Sequence, residues 1–154
     1  MPALVLLDWM VLGPPPGFLD ALAGLQDATA WQDVRAGLFR MWTCGVDVRA
    51  VHYYVDSMTR YGADRWGRAG REIAASFRQE GSPAAALSKL DPPAPVLHLY
   101  AQPADEAVLQ AQQAFARANP WFFVERLAAR SHFPMLEVPG HMAETLDRFL
   151  FAHT

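Results

Sequence analysis

Ala3-Leu4-Val5-Leu6-Leu7-Asp8 opens the chain with five apolar residues and closes them with a carboxylate. The run is short and continuous, without polar alternation, which is the pattern of a fully buried parallel strand. Two further strand-like runs lie far downstream, the first of them reading as buried. Val96-Leu97-His98-Leu99-Tyr100 follows the stiff lead-in Pro92-Pro93-Ala94-Pro95, and Trp121-Phe122-Phe123-Val124-Glu125-Arg126-Leu127 comes third. Between these two, residues 105–118 have helical spacing, with Asp105 placed as N-cap. After the third run comes Ser131-His132-Phe133-Pro134, then a helix predicted from Pro139 to Phe151. Strand–helix–strand units of this kind argue for a parallel sheet with right-handed crossovers.

The stretch between the first two runs has a different period. Gly13-Pro14-Pro15-Pro16-Gly17 stops regular structure, and apolar residues then recur every three or four positions. Phe18, Leu19, Leu22 and Leu25 predict one helix. Trp31, Val34, Leu38, Phe39 and Trp42 predict a second, broken at Thr43-Cys44-Gly45. Val51, Tyr54, Val55 and Met58 predict a third, ending near Tyr61-Gly62. A fourth runs from about Trp66 to Arg78 with Ile73 and Phe77 on one face, and Ser82-Pro83 starts a short fifth. The expected organisation is a single α/β domain over residues 1–154. Its core is residues 1–16 and 92–154, and a helical cap of about residues 17–91 is inserted after the first strand.

Composition narrows the function classes. The 154 residues are 52% hydrophobic and only 19% charged, so the chain buries a substantial core or lines an apolar cavity. A net charge of -3, with Lys89 the one lysine, gives no electrostatic basis for nucleic-acid binding. A single cysteine, Cys44, excludes an internal disulfide framework and fits a reducing, cytoplasmic setting; no activating partner is near it in sequence. No apolar stretch approaches the ~18 residues of a membrane span, and neither a signal peptide nor a membrane partner is expected. No set of histidines and carboxylates has metal-ligand spacing, and no Gly-x-Gly-x-x-Gly stands in the chain, so no metal and no cofactor is expected.

Two residues have catalytic chemistry in the right place. Open α/β sheets gather their sites at the carboxyl ends of the strands. Asp8 ends the first strand and His132 lies in the loop after the third. A histidine accepts a proton near neutral pH, and a carboxylate beside it orients the ring and stabilises its protonated form. Asp105 competes with Asp8 for that second role. His98, inside a strand, reads as a satisfied core histidine. His52 reads as a surface partner of Asp56, and His141 and His153 as solvent-facing. The chain holds no Gly-x-Ser-x-Gly nucleophile elbow.

A strand ending in Asp, a helical cap, a strand after a proline-rich lead-in and a late His before the last helix resemble the C-terminal half of an α/β-hydrolase fold. The finer resemblance is to the cofactor-free 2,4-dioxygenases that open 3-hydroxy-4-oxoquinoline and quinaldine rings. It rests on Leu7-Asp8-Trp9, Gly37-Leu38-Phe39 with Trp42, and Tyr61-Gly62 with Trp66-Gly67-Arg68. It continues through Gly81-Ser82-Pro83, Asn119-Pro120-Trp121-Phe122, and His132-Phe133-Pro134 with Val138-Pro139. The fold implied is a partial α/β-hydrolase fold, its last three parallel strands with their helices, carrying an inserted helical cap. Family members have earlier strands, an oxyanion-hole loop and a nucleophile elbow, so the expectation is an incomplete domain whose N-terminal half is missing or supplied by another chain.

The resemblance implies His132 as general base with Asp8 as its acid partner. Trp42, Trp66, Leu38, Met58 and Ile73 would line the pocket, with Trp9 close by. The implied partners are a small aromatic N-heterocyclic substrate and O2, together with a homo-oligomer or the missing half. The implied reaction releases CO and an N-acylanthranilate. Two other readings stay open: an esterase or C–C-bond hydrolase fragment, with Asp105 as acid, and a non-catalytic remnant or interaction module.

Overall fold

The computed structural model describes residues 3–153. Three strands, β1 (Leu4–Leu7), β2 (Val96–Tyr100) and β3 (Phe122–Arg126), form one parallel sheet in the order β1-β2-β3. Helices α1 (Phe18–Gly24), α2 (Trp31–Thr43), α3 (Arg49–Met58), α4 (Ala63–Glu80) and α5 (Pro83–Leu87) lie between β1 and β2 in sequence. Helix α6 (Glu106–Ala118) joins β2 to β3, and α7 (Pro134–Glu137) and α8 (Pro139–His153) follow. The α/β class and the parallel sheet are as expected.

Contacts divide the chain into two units. One comprises residues up to Trp9 and from Leu87 onward; the other is Met10–Ala86. These limits differ from the expected cap of residues 17–91. Ala84 N–H donates to the Val11 carbonyl at 2.9 Å, which ties the residues just after β1 to the start of α5.

In the sheet unit the pleat sends alternate residues of β2 to opposite faces. Leu97 and Leu99 face α8, where they pack with Leu127, Met142 and Phe149. His98 and Tyr100 face the other way and stack on each other at 5.1 Å with planes 7° apart. Helix α6 covers that face through Gln112, which meets His98, and Phe115, which stands edge-on to Phe122 at 5.1 Å. All five residues of β2 are buried, as a central strand with both faces covered requires.

β1 departs from the fully buried strand expected of it. Leu4 and Leu7 are each 38% exposed. The strand is at the sheet edge, and among the described residues no strand pairs on its far side. Apolar continuity reported strand propensity correctly, but burial needs neighbours that the pattern alone cannot supply.

In the helical unit, α4 packs directly on the backbone of α1. A Cβ at Gly70 would stand 2.5 Å from the Leu22 carbonyl oxygen, so only glycine permits this approach. Leu22, Leu25, Leu38 and Ala74 form the buried centre of the unit.

His98 is fully buried, and burial pushes its pKa below the ordinary 6.5, an effect only partly offset by Gln112 and the nearby Asp8 charge. The unfolded chain takes up this proton below pH 6.5 while the folded chain resists it. The stabilisation is therefore complete above pH 6.5 and is lost as pH falls toward the folded pKa. One proton corresponds to about 1.4 kcal/mol per pH unit at most. Urea unfolding as a function of pH should show stability falling below pH 6.5, with a shallower slope in His98→Gln. Identical slopes would contradict the assignment.

Candidate active site

Asp8 stops β1 by turning the backbone. Its φ of 46° is left-handed, a conformation that costs an L-residue roughly 1–2 kcal/mol and that Asp tolerates better than most. Asp8 N–H still donates to the Leu99 carbonyl at 2.7 Å and so extends the ladder by one bond. Its side chain then crosses to the end of β2. Oδ1 accepts the backbone N–H of Ala101 at 2.6 Å and of Gln102 at 3.0 Å. Oδ2 is buried and faces Nδ1 of His132, with which it forms an ion pair when the ring is protonated. The Asp8 side chain is 3% exposed and that of His132 is 24% exposed. The two residues that end the first strand and follow the third are thus side by side.

The loop carrying His132 is held by a carboxylate that sequence reasoning missed. Glu137, the last residue of α7, accepts the backbone N–H of Ser131 at 2.6 Å and of Arg130 at 3.2 Å, and the Ser131 hydroxyl also donates to it. Ser131 Oγ in turn accepts the Phe133 N–H at 3.1 Å. His132 is bracketed by residues that cannot shift without breaking these bonds. Burial acts to raise the Glu137 pKa, but the Ser131 hydroxyl, the backbone N–H groups and the Arg130 charge outweigh it, and the net displacement is below 4.5. The available signal was a lone Glu closing the apolar run Phe133-Pro134-Met135-Leu136. Helix α7 is only four residues long, too short for helical periodicity to show in the sequence.

This arrangement determines what the imidazole can do. With Nδ1 turned to the Asp8 carboxylate, Nε2 is the ring nitrogen left for a proton from another molecule. A proton taken there leaves a cation beside a buried carboxylate, the acid–base half of a general-base site. Asp105 does not compete: its side chain accepts Ala107 N–H at 2.7 Å and caps α6.

Of the residues expected to line a pocket, Leu38, Trp42, Trp66 and Ile73 come together in the helical unit. Phe39 stands 5.8 Å from Trp42 and 5.6 Å from Trp66, and the two indoles are 6.5 Å apart. Trp66 Nε1 is buried without a hydrogen-bond partner. Met58 ends α3, half-buried. Trp9 is in the sheet unit and partly exposed.

The other histidines diverge from expectation in two cases. His52 pairs with Asp47 at 3.7 Å rather than with Asp56. His153 is half-buried against Phe149, whose carbonyl lies 2.8 Å from its Nδ1, because the end of α8 folds its ring onto the sheet-facing side. His141 is exposed and pairs with Glu125 at 3.2 Å. Cys44 is exposed. Among the described residues no group of three or more His, Cys, Asp or Glu could hold a metal ion, and no helix is long and apolar enough to cross a membrane. A cavity of about 670 Å³ opens along β3 near Phe123, Arg117 and Arg148, but neither Asp8 nor His132 borders it.

Comparison with known proteins bears on this geometry. No protein-family model matches the chain. It is 36% identical over 139 residues to the 2-heptyl-3-hydroxy-4-quinolone dioxygenase AqdC1 of Rhodococcus erythropolis, covering 90% of this chain and 50% of that one. It is 33% identical over 153 residues to the 1H-3-hydroxy-4-oxoquinoline 2,4-dioxygenase of Pseudomonas putida, covering 99% and 58%. The chain is a homologue of the 3-hydroxy-4-quinolone dioxygenases. It spans about half the length of the curated relatives it matches. Solved structures agree: a 1H-3-hydroxy-4-oxoquinoline 2,4-dioxygenase superposes with a TM-score of 0.92 at 33% identity, covering 97% of this chain and 57% of its own. An AqdC variant with its substrate, described as recognising and cleaving the Pseudomonas quinolone signal, superposes with a TM-score of 0.91 at 33% identity, covering 98% and 57%. The three parallel strands and their helices are therefore part of an α/β-hydrolase fold.

Glu137 carries a prediction about the His132 loop. Because its folded pKa is lowered, its contribution is present above pH 4.5 and is lost as pH falls through the folded value. Hydrogen exchange should find the Arg130 and Ser131 amides protected at neutral pH, with protection lost only below pH 4.5. Glu137→Ala should lose it at every pH. Equal protection in both chains would show that the carboxylate does not hold the loop.

Proposed function

We propose that Asp8 and His132 form the general-base pair of a cofactor-independent dioxygenase that opens 3-hydroxy-4(1H)-quinolones. The observation that carries this reading is the His132 ring held through Nδ1 on the buried Asp8 carboxylate, with the side chain still partly open to solvent. The names of the relatives supply the substrate class.

Electron transfer to dioxygen usually depends on a metal or flavin. Here the substrate does that work. His132 Nε2 takes the proton of the 3-hydroxyl, Asp8 stabilises the resulting imidazolium, and the substrate becomes an electron-rich anion. The anion gives an electron to O2, and the two recombine as a ring-bound peroxide. The peroxide attacks the ring carbonyl, the ring opens, and CO leaves with an N-acylanthranilate. All four electrons that reduce O2 come from the bonds broken in the substrate. The protein contributes general-base catalysis, typically ~10²–10⁴-fold.

A hydrolase of the same fold would need a nucleophile. Ser131, beside His132, is fully buried and committed to Glu137 and to Phe133 N–H, which argues against that role.

The test is CO release and N-acylanthranilate formation from a 3-hydroxy-4-quinolone in air. The 154-residue chain is assayed alone and together with the portion of the Pseudomonas putida relative that it does not match. That relative, split at the same place, is the control. His132→Ala should lower turnover by ~10²–10⁴-fold at neutral pH, and by less at high pH where the substrate ionises unaided. A loss that does not vary with pH, or no product when the split control is active, would overturn the proposal.

A further inference from the structure

We infer that His98 and Gln112 are positioning residues that aim the Asp8 carboxylate at His132. The inference rests on the reading of Asp8 and His132 as the base pair, and extends it to two buried residues with no part in the proton transfer itself.

His98 is in the middle of β2, fully buried, where an apolar residue would cost less to bury. Its ring bridges two specific partners. Nε2 accepts the Trp9 N–H at 3.2 Å, and Nδ1 lies 2.6 Å from Oε1 of Gln112, itself only 4% exposed. An acceptor at Nε2 requires the proton to be on Nδ1, so the Gln112 oxygen is the acceptor and one neutral tautomer is selected. Burial disfavours the charged form and keeps the ring in that state. Tyr100, stacked on the ring at 5.1 Å, fixes its plane.

What His98 holds is the peptide that follows Asp8. Asp8 has a left-handed backbone, so the orientation of its carboxylate depends on how firmly the turn is tied on both sides. On the amino side, Asp8 N–H is bound to the Leu99 carbonyl. On the carboxyl side, Trp9 N–H is bound to His98. Oδ1 is taken by Ala101 and Gln102, which leaves Oδ2 to His132. If the Trp9 tie is released, the Asp8–Trp9 peptide can rotate and Oδ2 loses its aim.

Two substitutions separate this role from core packing. In His98→Gln the amide oxygen reaches the place of Nε2. In His98→Asn the side chain is one methylene shorter and reaches only as far as Nδ1. The readouts are the far-downfield proton NMR signal of His132 Nδ1–H on Asp8, and exchange of the Trp9 amide. The unmodified chain should show the signal and a Trp9 amide as protected as that of Asp8. His98→Gln should keep both and His98→Asn should lose both. Equal behaviour of the two variants, or free exchange of the Trp9 amide in the unmodified chain, overturns the inference. In the turnover assay, His98→Asn should lower kcat while leaving KM unchanged. If no form of the chain turns over substrate, the functional reading fails while the spectra still decide the role of His98.

Discussion

The Asp8 carboxylate is where the ends of three strands meet. One oxygen is fixed by the first two N–H groups beyond β2, and the other faces the imidazole in the loop beyond β3. The Asp8 backbone leaves the extended region at the end of β1, so strand termination and side-chain aim are one structural event. A carboxylate buried to this degree is costly unless every lone pair has a partner. Backbone donors fill Oδ1, and Oδ2 is left facing the imidazole as its ion-pair partner.

Around this contact the sheet unit is built as two supports. Glu137 holds the loop of His132 through backbone and hydroxyl donors of residues 130 and 131. His98 and Gln112 hold the peptide after Asp8. Each support uses a buried or half-buried polar side chain on an element next to the one it steadies, so the geometry depends on regular secondary structure rather than on loops alone. For the proposed reaction, preorganisation of this kind would keep the general base within hydrogen-bond reach of its proton without reorganisation. The chain is similar to 3-hydroxy-4-quinolone dioxygenases over about half their length.

Much of this was legible in the residues. Short runs rich in Leu, Val and aromatic residues marked all three strands, and the change of period marked the helical insertion. Asp105 was legible as an N-cap because its chemistry is local, and the structure shows that cap. Asp8 and His132 were legible as a pair because each stands at the carboxyl end of a strand, where α/β sheets concentrate their functional groups. What escaped was non-local. The exposure of Leu4 and Leu7 depends on which strands flank β1, and no window along the sequence contains that information. The role of Glu137 is not legible because most of its partners are backbone N–H groups, which have no sequence signature. Helical spacing points His52 toward Asp56, but the start of α3 sets its ring beside Asp47. The bridging role of His98 required knowing that β1 and β2 are neighbours in register, Leu6 beside His98.

The central claim is that the Asp8 and His132 side chains interact directly in the folded chain. A double-mutant cycle tests it without reference to activity. Unfolding free energies are measured for the unmodified chain, Asp8→Asn, His132→Ala and the double variant. Side chains in contact couple by about 0.5–3 kcal/mol, whereas independent sites add to within about 0.5 kcal/mol. A coupling within the first range is the predicted result; strictly additive effects would contradict the account.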